Sequence, residues 1–405
     1  MAQTHIVFND QIEEHTGKYI SRTLVIPQDG ISAQEHERRT LALLFEQFLL
    51  FDKISLKIDR ESHVLYYLIK ALGLNRVEEL IDHGVIIPVL WTPIIVTSTG
   101  MQREDGSIDH DAVFGKPPLI VGRLSENDSN PEFQVDRLLN HFSIDKDRKR
   151  IFKKRVVNKF VLPDNEFATD AAEIVMDAYE YNNLASLGLA ANKEPEQLDY
   201  LERGRLLELG HQVLQTSIIA DQGYKSYDNF ESFTLTNGAV RNIESAYEVS
   251  ENTSEIFKIE GLADIKQLVL DNRIPFDRVF DLRYNKNIKE YRKWINSLGK
   301  NEDATPITKE YIDEVMGKNN FFESTGGKFV RTIGMMGIGA GVGTAVAGPV
   351  GGALGAGVGK VLEVGLSLLD TYVLDGILKG WNPRMFVDAM RIESEGGQYH
   401  DKKYK

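Results

Sequence analysis

The sequence contains no cysteine among its 405 residues. This absence excludes disulfide bonds, zinc sites built from thiolates, and catalysis by a cysteine nucleophile. The first ten residues, MAQTHIVFND, lack the basic residues and the apolar run of a secretory signal, so we expect a cytoplasmic protein. A hydrophobic fraction of 42% and a charged fraction of 26% are typical of a globular chain. Wholesale disorder and a polytopic membrane protein are therefore both excluded.

Recognisable catalytic and metal-binding motifs are also absent. Glu208 and His211 have the Glu-x-x-His spacing of carboxylate di-iron bundles, but such a site needs a second copy of the motif, and the sequence has none. Gly359 and Lys360 resemble the end of a Walker phosphate loop, but Leu354 stands where that motif has its first glycine. No nucleophile and base occur at a recognisable spacing. The sequence therefore predicts no metal site, no cofactor and no enzymatic activity.

The first part of the chain alternates between strand and helix patterns. Alternating apolar residues predict strands at 5–8 and 53–58, and β-branched residues predict another at 19–27. Ser32 and Glu35 form a capping box that begins a helix, and Gly73 divides a second helical stretch into a pair. Pro88 and Pro93 place an edge or a bend within the apolar run 85–96. We expect a small α/β domain over residues 1–123.

Beyond polar stretches at 99–111 and 125–132 the sequence becomes helical. Apolar residues recur at three- and four-residue intervals in 168–187, 195–220, 263–270 and 276–298. This pattern predicts a mainly helical domain over residues 132–320. The fold class is therefore α+β, and a third, glycine-rich helical region is expected over residues 328–395.

A basic cluster interrupts a chain whose formal net charge is −13. Within residues 146–159, the candidates for contact with an anionic lipid surface are Lys149, Arg150, Lys153, Lys154 and Arg155. Only Phe142 and Phe152 lie close enough in sequence to stack on bases, so nucleic acid is not a favoured partner. The alternative interpretation is a solvated helix face that acidic neighbours neutralise.

The most unusual segment has 27 consecutive uncharged residues, from Ile333 to Gly359, and eleven of them are glycine. Small residues recur at every fourth position, beside a parallel row of aliphatic residues. This is the small-xxx-small pattern by which helices pack at short distance. The candidate membrane or assembly residues are Gly339, Gly343, Gly351, Gly355 and Gly359, together with Trp381 as an interfacial anchor.

Such a segment is a poor helix in water, because each interior glycine costs about 1 kcal/mol relative to alanine. Dense packing or a bilayer must therefore stabilise it. Gly348 and Pro349 interrupt the pattern, which predicts two helices and hence a glycine-zipper hairpin.

Two hypotheses follow from this hairpin. The first is a bacterial cytoplasmic effector that conditionally binds, perturbs or forms pores in the inner membrane, as toxins and antiviral defence proteins do. Its partners would be membrane lipid and a protein partner or further copies of itself. The alternative is a soluble sensor or interaction protein whose glycine-rich hairpin is a buried or oligomeric packing interface.

Overall fold

The fold is that of a computed structural model, which describes residues 4–24, 31–97, 101–102, 108–109, 118–182, 184–185, 189–194, 197–224, 265–298 and 383–394. The chain is a mixture of helix and strand in which a small parallel sheet is surrounded by helices. The predicted glycine-zipper hairpin lies outside the described residues.

Three parallel strands form the main sheet in the order β1-β2-β3, with Val7 beside Ile54 and Ile54 beside Ile86. A second, antiparallel sheet pairs β4 with β7, and a third pairs β5 with β6. The strands are β1 (Ile6–Asn9), β2 (Lys53–Ile58), β3 (Ile86–Leu90), β4 (Pro93–Thr97), β5 (Met101–Gln102), β6 (Ile108–Asp109) and β7 (Leu119–Arg123).

Twelve α-helices lie in the part of the chain that the structure describes. They are α1 (Gln11–Tyr19), α2 (Ala33–Leu50), α3 (His63–Leu72), α4 (Leu74–Asp82), α5 (Pro131–Asn140), α6 (Lys146–Val156), α7 (Glu166–Glu180), α8 (Tyr200–Asp221), α9 (Ile265–Leu270), α10 (Val279–Tyr284), α11 (Lys286–Leu298) and α12 (Pro383–Ser394). Helices therefore separate the strands of the parallel sheet, as its crossover connections require.

Side chains alternate between the two faces of the parallel sheet, and both faces are covered. Val7, Ile54 and Ile86 belong to a core shared with α2, α3 and α4. Phe8 and Val89 belong to a second core, which they share with α7, α8, β4 and β7. Burial on both faces is typical of parallel sheets, whose crossover helices pack against them. We call this sheet and the helices packed on it the body.

The end of the chain returns to the first core. Residues of α9, α10, α11 and α12 are buried in it together with those of α2. Both cores thus combine residues from before and after β7. The domain divisions at residues 123, 132, 320 and 328 stay predictions.

Several local predictions are confirmed. Ser32 Oγ accepts a hydrogen bond from the Glu35 amide at 3.1 Å, which caps α2 as expected. Gly73, at a φ of +85°, separates α3 from α4. Pro88 lies in β3, at the end of the strand order, and the proline-containing run bends between β3 and β4.

The strand predicted at 19–27 is wrong over its described part, which ends at Leu24. Tyr19 is the last residue of α1, and the amides of Ile20 and Ser21 both donate to the Thr16 carbonyl. Leu24 then folds back over Gly17, where an added Cβ would lie 2.7 Å from the Leu24 Cδ1 atom. Packing of Leu24 against the helix therefore prevails over the strand propensity of these residues.

Candidate functional site

The candidate glycines Gly339, Gly343, Gly351, Gly355 and Gly359, and Trp381, lie outside the described residues. Their role in a membrane or an assembly stays a prediction. The structure does describe the elements on either side of them. Helix α11 ends at Leu298 and helix α12 begins at Pro383, so these two helices bound residues 299–382.

Helices α11 and α12 pack on each other through two aromatic rings. The rings of Tyr291 and Phe386 are stacked, with centroids 3.6 Å apart and planes 6° from parallel. Phe386 is 1% exposed, and Met390, one turn later, is fully buried. Burial, with a smaller contribution from Glu46, raises the pKa of the Tyr291 hydroxyl, which stays neutral at pH 7.

An ion pair joins the other end of α12 to the residues before α10. Arg278 donates to both carboxylate oxygens of Glu393, from Nε at 3.1 Å and from Nη2 at 2.9 and 3.0 Å. Such a bidentate pair fixes orientation as well as distance. The start of α12 therefore lies beside α11, and its end lies beside Arg278.

This arrangement means that α12 runs back along the path of α11 and α10. The chain leaves after α11 and returns at the start of α12, where Phe386 stacks on Tyr291 of α11. We call α10, α11 and α12 the anchor. The two helices that bound residues 299–382 thus pack on each other.

Two buried arginines attach the anchor to the end of α2. Arg283 donates to the carbonyls of Phe48, Phe51 and Asp52, with a distance of 2.9 Å to Phe51. Arg292 donates to the Leu49 carbonyl at 2.9 Å. The last carbonyls of a helix lack intrahelical donors and carry partial negative charge, so two cations satisfy and stabilise them.

The arginines themselves lie in an environment that disfavours charge. Burial and the neighbouring Arg292 lower the pKa of Arg283 to about 9. Burial also lowers the pKa of Arg292, and the carboxylate of Asp52 partly offsets this decrease. Both arginines remain cationic at pH 7, and the carbonyls of α2 are the groups that hold them.

The outer face of the anchor is polar. Ile288, Tyr291 and Arg292 of α11 are buried, whereas Lys286, Lys289 and Lys293 are exposed. The sequence hypothesis did not include these three lysines, because other residues, including the acidic Glu290, separate them and they do not form a continuous run. Their separation from the buried residues follows from the helical period.

The predicted basic cluster lies on α6, and its described neighbours are acidic. Lys153 Nζ is 2.8 Å from Asp136 and 2.9 Å from Glu132, which raises the pKa of Lys153. Arg155 lies 2.8 Å from the buried carboxylate of Glu78, which also pairs with Arg148. These cations are therefore engaged within the fold, which favours the alternative of a neutralised helix face for this part of the cluster.

The other candidates on α6 are held more loosely. Lys149 donates to Asn140 Oδ1 at 2.9 Å. Arg150 is 3.3 Å from Asp147 in a pair with both side chains at least 80% exposed, where such contacts contribute little. Lys154 is exposed. Binding of an anionic surface by the cluster stays a prediction.

The Glu-x-x-His motif on α8 does not gather further ligands. His211 Nε2 lies 2.9 Å from the carbonyl oxygen of Ile95, which places a proton on that nitrogen. Burial lowers the pKa of His211, although part of its ring stays exposed. Among the described residues, no group of three or more histidine, aspartate or glutamate side chains is arranged to hold a metal ion.

The structure also brings together a pair of histidines that the sequence did not indicate. His15 Nδ1 lies 3.1 Å from His36 Nδ1, and the rings of Tyr19 and Tyr67 pack around them. One imidazole must donate and the other must accept, so the pair cannot carry two Nδ1 protons. Burial and the nearby His36 lower the pKa of His15 to about 4. One histidine lies on α1 and the other on α2, so no local sequence pattern indicates the pair.

No helix in the described ranges combines the length and the apolar character that spanning a bilayer requires. No family model matches the chain, and neither a curated protein nor a solved structure matches it.

Proposed function

We propose that the chain is a bacterial cytoplasmic effector that binds or perturbs the inner membrane through its glycine-rich segment, residues 333–359. The observation that supports this proposal is the anchor. The two helices that bound residues 299–382 pack on one another and are buried in the same core. A segment held in this way can change its environment while the body keeps its fold.

The anchor restricts how such a segment meets a bilayer. Because its two ends lie on the same body, the segment has to enter and leave through the same membrane surface. Each crossing takes about 20 apolar residues, so a two-pass hairpin takes about 40. The uncharged run has 27 residues. We therefore propose a shallow helical hairpin that enters one leaflet, with small-xxx-small packing between its arms or between copies.

The biological setting that we propose is a toxin or an antiviral defence system in which insertion follows a trigger. This part of the proposal rests on architecture alone. The partners would be membrane lipid and a protein partner or further copies of the chain.

The test is vesicle flotation and dye leakage with the full chain and mixed phosphatidylcholine–phosphatidylglycerol vesicles. Gly343→Leu and Gly351→Leu should reduce leakage strongly, because leucine holds apart helices that pack through glycine. Gly204→Leu is the matched control, since an added Cβ on this α8 glycine meets no atom within 4 Å. Absence of leakage by the wild-type chain, or equal leakage by all variants, would contradict the proposal.

A second candidate function is a soluble sensor or interaction protein whose hairpin is a packing interface. A different observation favours it: Tyr181, Tyr200 and Leu201 are 72%, 89% and 74% exposed where α7 ends and α8 begins. Tyr200 and Leu201 are consecutive, and contiguous exposed apolar side chains are typical of protein interaction sites. Light scattering with Tyr200→Ser/Leu201→Ser tests this candidate, which predicts an oligomer that the variant dissociates without any effect of lipid.

A further inference from the structure

The exposed side of α11 carries a regular row of cations. Lys286, Lys289 and Lys293 are separated by three and four residues, so they share one face of the helix. Ile288 and Tyr291 point the other way and are buried in the body. The row is therefore fixed in orientation by the packing of the opposite face.

We propose that this row, with Tyr284, is the surface by which the body docks on an anionic bilayer. We call it the α11 lysine face. The inference rests on the proposed function, because it names the lipid class that the effector recognises and the face that it presents. The partner is a membrane surface rich in anionic headgroups.

The charge balance of this face supports an anionic partner. Lys293 lies 2.9 Å from Glu290, a partly exposed pair, whereas among the described residues no carboxylate lies within ion-pair distance of Lys286 or Lys289. Asp281 and Glu393 share the guanidinium of Arg278, so these three side chains carry a net charge of −1 and add nothing positive to the face. The face itself has three lysines and the carboxylate of Glu290, a net charge of +2, in a chain whose formal net charge is −13. Long-range repulsion elsewhere on the surface would favour approach by this face.

An aromatic residue completes the face. The ring of Tyr284 is 51% exposed, and the Lys289 ammonium lies 5.4 Å from its centroid. Tyrosine and lysine are the side chains that accumulate where a membrane meets water, since each joins an apolar portion to a polar tip.

The position of the α11 lysine face is a second reason to propose it as the docking surface. Helix α11 leads directly into residues 299–382, so a bilayer that receives the glycine-rich segment must come close to α11. Helix α6 has more cations, but Arg148, Lys153 and Arg155 are already paired with carboxylates of the body. The α11 lysine face is thus better placed and less neutralised than the cluster that the sequence indicates.

The experiment measures binding of the full chain to phosphatidylglycerol-containing vesicles and to phosphatidylcholine vesicles by co-sedimentation. The test variant is Lys286→Gln/Lys289→Gln/Lys293→Gln. A lysine near an anionic surface contributes about fivefold in affinity, so the triple change should weaken binding roughly a hundredfold, with little binding to neutral vesicles in either case. All three side chains are exposed, and circular dichroism and urea unfolding check that the variant folds.

The matched control removes three exposed cations that lie neither on α11 nor in the α6 cluster, as Arg39→Gln/Arg60→Gln/Arg205→Gln, and should bind nearly as the wild type does. An equal loss in both variants would show a non-specific charge effect and would overturn the docking surface. If the wild-type chain binds and causes leakage but the α11 variant binds as tightly, the docking surface is refuted and the proposed function stands. If the wild-type chain neither binds nor causes leakage, both are refuted.

Discussion

The buried histidine pair makes the stability of the body depend on pH in a calculable way. The pKa of His15 falls from 6.5 to about 4 in the folded chain, because burial disfavours the imidazolium and His36 repels it. The unfolded chain then binds more protons than the folded chain between these two pH values. The free energy of unfolding must therefore fall as the pH drops from 6.5 towards 4.

The size of the effect follows from the same values. At 1.36 kcal/mol for each pH unit, the interval from 6.5 to about 4 corresponds to about 3 kcal/mol. His15 is only 4% exposed, so solvent screening removes little of it. The perturbation is His15→Phe, which keeps an aromatic ring beside Tyr19 and Tyr67 but removes the titrating group.

The assay is urea unfolding of the wild-type chain and the variant at pH 7.0 and pH 4.5. Between these values the wild type should lose roughly 2–3 kcal/mol more than His15→Phe does. Protonation of groups that do not contact His15, including His63, is common to both proteins and cancels in the comparison. His83→Gln, a change at an exposed histidine, controls for the loss of one imidazole. Equal losses in wild type and His15→Phe, within about 0.5 kcal/mol, would refute the reasoning.

Three further predictions concern the anchor and the loop after β2. Arg283→Met should destabilise the fold by about 3–5 kcal/mol in urea unfolding, because it leaves three carbonyls at the end of α2 without a donor, whereas the exposed Arg150→Met should cost less than about 0.5 kcal/mol. Phe386→Ala should cost about 3–5 kcal/mol by the same measurement, and a cost near zero would show that α12 does not dock. Asp59, whose hydrogen bond is the main cause of the raised pKa of His63, stabilises the protonated imidazole. Asp59→Asn should therefore lower the melting temperature more at pH 6 than at pH 9. The stabilisation by protonated His63 is fully present below the pKa of the unfolded chain, and it is lost as the pH rises through the pKa of the folded chain. An equal change in melting temperature at the two pH values would contradict the prediction.

Features whose cause is local could be predicted from the sequence. In β2, Ile54, Leu56 and Ile58 alternate with residues of the opposite face, and this period is sufficient to identify the strand. The cap at Ser32 needs only a residue three positions later, and the break at Gly73 needs only a positive φ that glycine adopts freely. Each signal lies within a few residues of its effect.

Features that depend on distant contacts could not be predicted in this way. Arg292 caps a helix 243 residues before it, and Arg278 meets a carboxylate 115 residues after it. A sequence pattern gives no reason to choose these partners, because arginine is ordinarily a surface residue. The strand predicted at 19–27 was wrong over its described part for a related reason. Its composition favours a strand, but the space above Gly17 is a property of the folded helix.

The anchor also separates the free energy of folding the body from the free energy of forming helices in the glycine-rich segment. Arg283 and Arg292 tie α10 and α11 to α2, and Phe386 ties α12 to α11, so the body holds both ends of residues 299–382 by contacts of its own. Under the proposed function, the bilayer or a partner helix would meet the cost of making a helix from so many glycines, and the core would not need to supply it. On this reasoning a glycine-to-leucine change in the segment alters insertion and assembly but leaves the urea midpoint of the body almost unchanged. A change in the anchor, by contrast, destabilises the body. It alters membrane activity only because the ends of the segment are no longer held together.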